Sequence, residues 1–91
     1  MLIRKHIIIT GLVQGVCFRM YTQREAEYRG VTGWVKNNID GKLEAVFEGE
    51  KDAVDRVVTW CRQGPPSAMV QDIEIREDRY TGEYIGFEIA F

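Results

Sequence analysis

Glycine and proline cut this chain of 91 residues into seven short pieces, each too short to bury an apolar face by itself. That punctuation constrains the fold more than any other feature, because every piece must then give its apolar side to one shared core. A chain of this size is expected to fold to a surface of about 5,400 Å², against about 15,200 Å² when extended, so about 64% is buried. That leaves no room for a second core, and residues 1–91 are expected to form a single domain.

The pieces alternate in character. Ile3 to Thr10 holds Ile7-Ile8-Ile9, whose branched side chains favour a strand, and apolar residues on both of its faces suit an interior position in a sheet. Gly11 to Phe18 reads as a loop. Arg19 to Arg29 reads as a helix, with Phe18, Thr22 and Ala26 spaced four apart and Gly30 suited to the left-handed turn after it. Gly33 to Asn37 and Lys42 to Glu48 read as strands joined through the hairpin signal Asp40-Gly41. In the second of them Leu43, Ala45 and Phe47 alternate with Lys42, Glu44, Val46 and Glu48, so one side faces the core.

Lys51 to Gln63 carries the clearest helical stripe, Ala53, Val54, Val57, Val58 and Cys61, and Gly64-Pro65-Pro66 ends it. Strands over Ala68 to Arg76 and Tyr84 to Phe91 complete the chain, the last with Phe87, Ile89 and Phe91 alternating. The order strand, helix, strand, strand, helix, strand, with a further terminal strand, is the split β-α-β pattern. It predicts an α+β, ferredoxin-like sandwich: an antiparallel sheet of four to five strands with two helices on one face. Such a fold hosts many functions, so function must be read from a site.

Composition narrows the class of partner. Hydrophobic residues at 45% and charged residues at 29% describe a globular chain, and the net charge of −2 argues against a general nucleic-acid binder. No apolar run approaches the roughly 20 residues of a membrane span, and the opening Leu2-Ile3-Arg4-Lys5-His6 does not read as a signal peptide. Cys17 and Cys61 have neither metal-site nor disulfide-scaffold spacing, which suggests two reduced thiols in a cytoplasmic protein.

Familiar catalytic constellations are missing. The lone histidine, His6, falls in the first strand and reads as a packing or surface residue. Ser67 and Cys17 lack an evident base, and the carboxylates are scattered over polar faces. The segment Gly11-Leu12-Val13-Gln14-Gly15-Val16-Cys17-Phe18-Arg19 stands apart. A helix start offers unpaired N–H groups and partial positive charge, Gly15 permits a tight turn, and Arg19 supplies a forked cation. Those features can make an anion cradle. They can equally be a plain strand-to-helix turn with Arg19 facing solvent.

The same nine residues resemble the acylphosphatase signature Gly-x-Val-Gln-Gly-Val-x-Phe-Arg at every fixed position. Gly33-Trp34-Val35-Lys36-Asn37-Asn38-Ile39-Asp40-Gly41-Lys42-Leu43-Glu44 resembles the second signature of that family, departing only in Leu43 for Val, and Gly64 to Ala68 and Gly86 to Ile89 are also family-like. The resemblance spans essentially the whole chain. It implies hydrolysis of acyl phosphates to a carboxylate and inorganic phosphate, with no metal and no cofactor. It places the phosphate-binding arginine on Arg19, the backbone cradle on Gly15, Val16, Cys17, Phe18 and Arg19, and the water-positioning asparagine on Asn37.

Asn38 competes for that last role; strand alternation points the two asparagines to opposite faces, so only one can meet Arg19, the hairpin gives Asn38 a turn position, and the resemblance favours Asn37. The expected partner is a small acyl phosphate, with no nucleic acid and no membrane, and the chain is expected to act as a monomer. The competing reading is a non-catalytic phosphate- or acyl-phosphate-binding module of the same fold. An RNA or metal module is disfavoured, because neither the aromatic RNP pattern nor paired-cysteine spacing is present.

Overall fold

The computed structural model describes residues 1–90; Phe91, assigned above to the last strand, lies outside the described residues. The elements follow in the order β1 (Leu2–Leu12), α1 (Phe18–Tyr28), β2 (Thr32–Asn37), β3 (Leu43–Glu50), α2 (Lys51–Cys61), β4 (Met69–Asp78) and β5 (Phe87–Ile89). One five-stranded sheet has the order β4-β1-β3-β2-β5. β1 is interior, as its two apolar faces predict. The total accessible surface is 5491 Å², close to the size-based expectation.

Alternation decides which side of the sheet is covered. Ile3, Ile7 and Ile9 of β1, Val35 of β2 and Leu43, Ala45 and Phe47 of β3 are buried, and all project to the side where the helices lie. α1 packs on β2 and β5, and α2 packs on β1 and β3. The stripe on α2 is buried at Val54, Val57, Val58 and Cys61, and α1 buries Phe18, Thr22 and Ala26. Among the described residues, no helix is long and apolar enough to cross a membrane.

Two expectations need correction. The sheet is mixed, because β5 pairs with β2 in parallel, with Gly33, Trp34 and Val35 opposite Phe87, Glu88 and Ile89. The reason lies in the ends of the strands. Asp78 lies opposite Arg4, Arg4 opposite Glu48, and Glu48 opposite Thr32, so β4 finishes at the same end of the sheet at which β2 starts. A last strand entering there beside β2 can only run with it. The terminal strand is also shorter than Tyr84 to Phe91, since residues 84–86 precede the ladder.

Tyr84 has a different task. The segment from Arg79 to Gly86 crosses the face opposite the helices, with the Tyr84 ring 5.4 Å from the Arg4 guanidinium. The Tyr84 hydroxyl accepts from Trp34 Nε1 at 3.2 Å. Glu48, fully buried, anchors this crossing: its carboxylate accepts from the Thr81 N–H at 2.8 Å, the Thr81 hydroxyl at 3.1 Å and the Gly82 N–H at 3.1 Å. Arg4 supplies the opposing charge at 3.4 Å. Glu48→Gln replaces one of those acceptor oxygens with an NH₂ that faces donors. The variant is expected to lose about 1–3 kcal/mol in urea unfolding, the cost of stranding a buried donor.

Candidate active site

The loop between β1 and α1 is shaped by four residues. Val13 is buried and fixes the end of the strand. Gln14 reaches across to the β2–β3 hairpin, its amide donating to the carbonyl oxygens of Asn38 at 2.7 Å and Lys42 at 3.0 Å. Gly15 turns left-handed at φ +75°, where a side chain would have open space but a strained backbone. Two residues later Cys17 is also left-handed, at φ 63° and ψ 22°, the one non-glycine with positive φ among the described residues. Left-handed residues interspersed in this way turn successive N–H groups toward one concavity.

Those N–H groups have no taker among the described residues. Cys17 is the cap of α1, yet no side chain caps the helix and no acidic residue stands in its first turn. The first bond entering the helix runs from the Tyr21 N–H to the Cys17 carbonyl at 3.1 Å. Among the described residues, no backbone or side-chain acceptor meets the N–H groups of Val16 to Arg19. Phe18 holds the helix start down: its ring meets the Trp60 ring edge-on at 5.7 Å, and a Cβ on Gly64 would lie 2.5 Å from its Cε2. Gly64 (φ +72°) is therefore fixed by that close approach as well as by its turn.

Asn37 closes the site from the other side. It ends β2 opposite Leu43, on the face that carries Val35. Its Oδ1 is buried and has no hydrogen-bond partner among the described residues, an uncommon state for a polar atom that invites an external donor. Asn38 points away, its Nδ2 donating to Glu44 Oε1 at 3.1 Å, as strand alternation predicts.

A cleft of about 490 Å³ brings Gly15, Cys17, Phe18, Arg19 and Asn37 together with Val13, Met20 and Ile89. Arg19 is the one charged side chain in that lining. Of the residues singled out in the sequence, Phe18 belongs to the core and also lines the cleft, whereas Val16 packs against the core and is absent from the lining. His6 stands apart, paired with Glu44 on the opposite face of the sheet. Cys17 is exposed, whereas Cys61 is buried and its surroundings push its thiol pKa up. Sequence reasoning gave no role to Gln14, Met20 or Ile89. The one available signal was a polar Gln14 wedged between the buried Val13 and the turning Gly15.

An α+β sandwich with open helix-start N–H groups, one guanidinium and an unpartnered amide oxygen in one cleft has the features of an anion-binding protein. The comparisons narrow that class. The acylphosphatase family model matches residues 5–89. The acylphosphatase of Syntrophobacter fumaroxidans is 51% identical over 88 residues, covering 97% of this chain and 91% of that protein. That of Pelotomaculum thermopropionicum is 49% identical, covering 97% and 96%. The crystal structure of acylphosphatase from Bacillus subtilis superposes with a TM-score of 0.93 at 40% identity over the full length of both chains. The chain belongs to the acylphosphatase family.

The left-handed Cys17 generates a stability prediction. A non-glycine residue in that conformation costs about 1–2 kcal/mol. Cys17→Gly is expected to raise the unfolding free energy by up to about 1 kcal/mol, and Cys17→Val to lower it, as read by chemical denaturation.

Proposed function

We propose that the cleft carries out the reaction of the family, hydrolysis of an acyl phosphate to a carboxylate and inorganic phosphate, by positioning and charge stabilisation. The phosphoryl group sits in the concavity formed by Gly15 to Arg19, taking hydrogen bonds from their free N–H groups, with the Arg19 guanidinium forked onto two of its oxygens. The observation that supports this reading best is the buried, unpartnered Oδ1 of Asn37, which lies in the same cleft. It accepts a hydrogen bond from the attacking water and orients one lone pair toward phosphorus.

The step is a displacement at phosphorus. The water oxygen bonds to phosphorus as the bond from phosphorus to the acyl oxygen breaks, and the acyl oxygen keeps the electron pair. The departing carboxylate is the base of an acid with a pKa of about 4, so it leaves without being protonated. No acid–base pair is required. Asn37 does not titrate, so a phosphate oxygen takes the proton of the water. Arg19 and the N–H groups stabilise the charge spread over the phosphoryl oxygens in the transition state. The chain is read as a cytoplasmic monomer without nucleic-acid partners; its two free thiols and net negative charge support that reading.

The test is benzoyl phosphate hydrolysis by the purified chain in the presence of a chelator. Arg19→Ala is expected to lose both phosphate affinity and rate, and Arg19→Lys to recover little, because an ammonium lacks the planar fork. Asn37→Ala is expected to keep inhibition by inorganic phosphate yet lose about 10²- to 10³-fold in kcat, as when one oriented polar group is removed from other sites. Cys17→Ser is expected to leave the rate largely intact. Saturable phosphate binding without turnover would instead support a binding module.

A further inference from the structure

The cradle and Asn37 come from separate parts of the chain, and one residue touches both. The Asn38 carbonyl accepts the Gln14 amide at 2.7 Å, which ties the cradle loop down, and also the Gly41 N–H at 3.1 Å. The Asn38 N–H closes the hairpin onto the Lys42 carbonyl at 2.8 Å. Its backbone is thus fully used, and it directly follows Asn37. What fixes its side chain is Glu44 on β3, whose Oε1 accepts from Asn38 Nδ2 at 3.1 Å while Oε2 lies 2.5 Å from His6 Nε2 on β1.

Burial works to raise the Glu44 pKa, but the hydrogen bonds from His6 and Asn38 outweigh it and hold the carboxyl below its ordinary range. Glu44 is therefore ionised near neutrality and can only accept, so His6 Nε2 must carry the proton in this pair. His6 and Glu44 are both mostly covered, with side-chain exposures of 14% and 20%. A charge-assisted pair in such a setting is firmly oriented. The network runs His6, Glu44, Asn38, Gln14, from the middle of the sheet to the lip of the cleft, and none of its side chains lines the cleft.

We infer that Glu44 and Asn38 are positioning residues for hydrolysis, holding the turn that sets Asn37 at its distance from the Gly15–Arg19 cradle. The inference rests on the water-orienting role given to Asn37 above. Glu44 acts on the hairpin side of the cleft, so its loss should disturb the water more than the phosphoryl group. Small displacements of a positioning group cost rate steeply even when ligand binding survives.

The experiment measures kcat and KM for benzoyl phosphate, and Ki for inorganic phosphate, in Glu44→Ala, Glu44→Gln, Asn38→Ala and the Glu44→Ala/Asn38→Ala double variant, with Asn37→Ala alongside. Glu44→Ala and Asn38→Ala are each expected to lose about 10- to 100-fold in kcat with KM and Ki within about twofold of the wild type. Glu44→Gln keeps an oxygen for Asn38 and an NH₂ that a neutral His6 can accept, so most of the rate should return. The double variant should be no slower than Asn38→Ala alone, because the two residues form one linkage. Should Glu44→Ala fail to fold, Asn38→Ala carries the test, since it removes only the side chain and keeps every backbone bond. An unchanged kcat in Asn38→Ala, or single effects that multiply in the double variant, would overturn the inference. If Asn37→Ala itself kept its rate, the water-orienting role would fail first, and the two failures are thereby told apart.

Discussion

A run of backbone N–H groups without acceptors is the constraint around which this molecule is arranged. Folded chains pair nearly all of their buried backbone donors, and a helix start usually recruits a capping side chain to do so. Here the cap position is a left-handed Cys17 whose side chain makes no capping bond, and Gly15 turns the chain the same way two residues earlier. Conformational strain and forgone capping both weigh against stability, so the surrounding structure must hold the loop in place. Phe18 against Trp60 and Gly64 does so from below, and Gln14 on the hairpin carbonyls does so from the side.

The other half of the cleft depends on the sheet. Ile89 reaches the lining only because β5 lies beside β2, with Ile89 opposite Val35, two residues before Asn37. β5 is there because the chain crosses from one edge of the sheet to the other over the uncovered face, and buried Glu48 fastens that crossing. On the helix side, the Gln23 amide donates to the Phe87 carbonyl at 3.0 Å, so α1 and the last strand are joined directly. The helix whose start forms the cradle is thus tied to the strand that supplies the cleft's far wall.

The two faces of the sheet carry different polar groups. Arg4 and Glu48, an ion pair, and the hydrogen-bonded His6 and Glu44 project away from the helices, whereas Asn37 projects toward them, as does Lys5, which pairs with Asp55 of α2. Among the described residues, Arg19 is the only charged side chain in the cleft lining. An anion entering it meets that guanidinium and a set of N–H dipoles.

Much of this was legible in the sequence for local reasons. Periods of two and 3.6 placed the strands and helices to within a few residues, because burial on one face imposes those periods on side chains. The signature segments named Gly15, Arg19 and Asn37, and alternation alone turned Asn37 and Asn38 apart. What stayed hidden was whatever depends on partners distant along the chain. The parallel direction of β5 follows from where β4 ends relative to the start of β2, which no local pattern encodes. Tyr84 looks like a strand residue until Arg4 and Trp34 are beside it, and Glu48 looks like a solvated carboxylate until Thr81 and Gly82 fold over it. Whether that loop can serve as an anion cradle rather than an ordinary turn also depends on three dimensions, since tertiary packing is what leaves those N–H groups and the Asn37 oxygen without partners among the described residues.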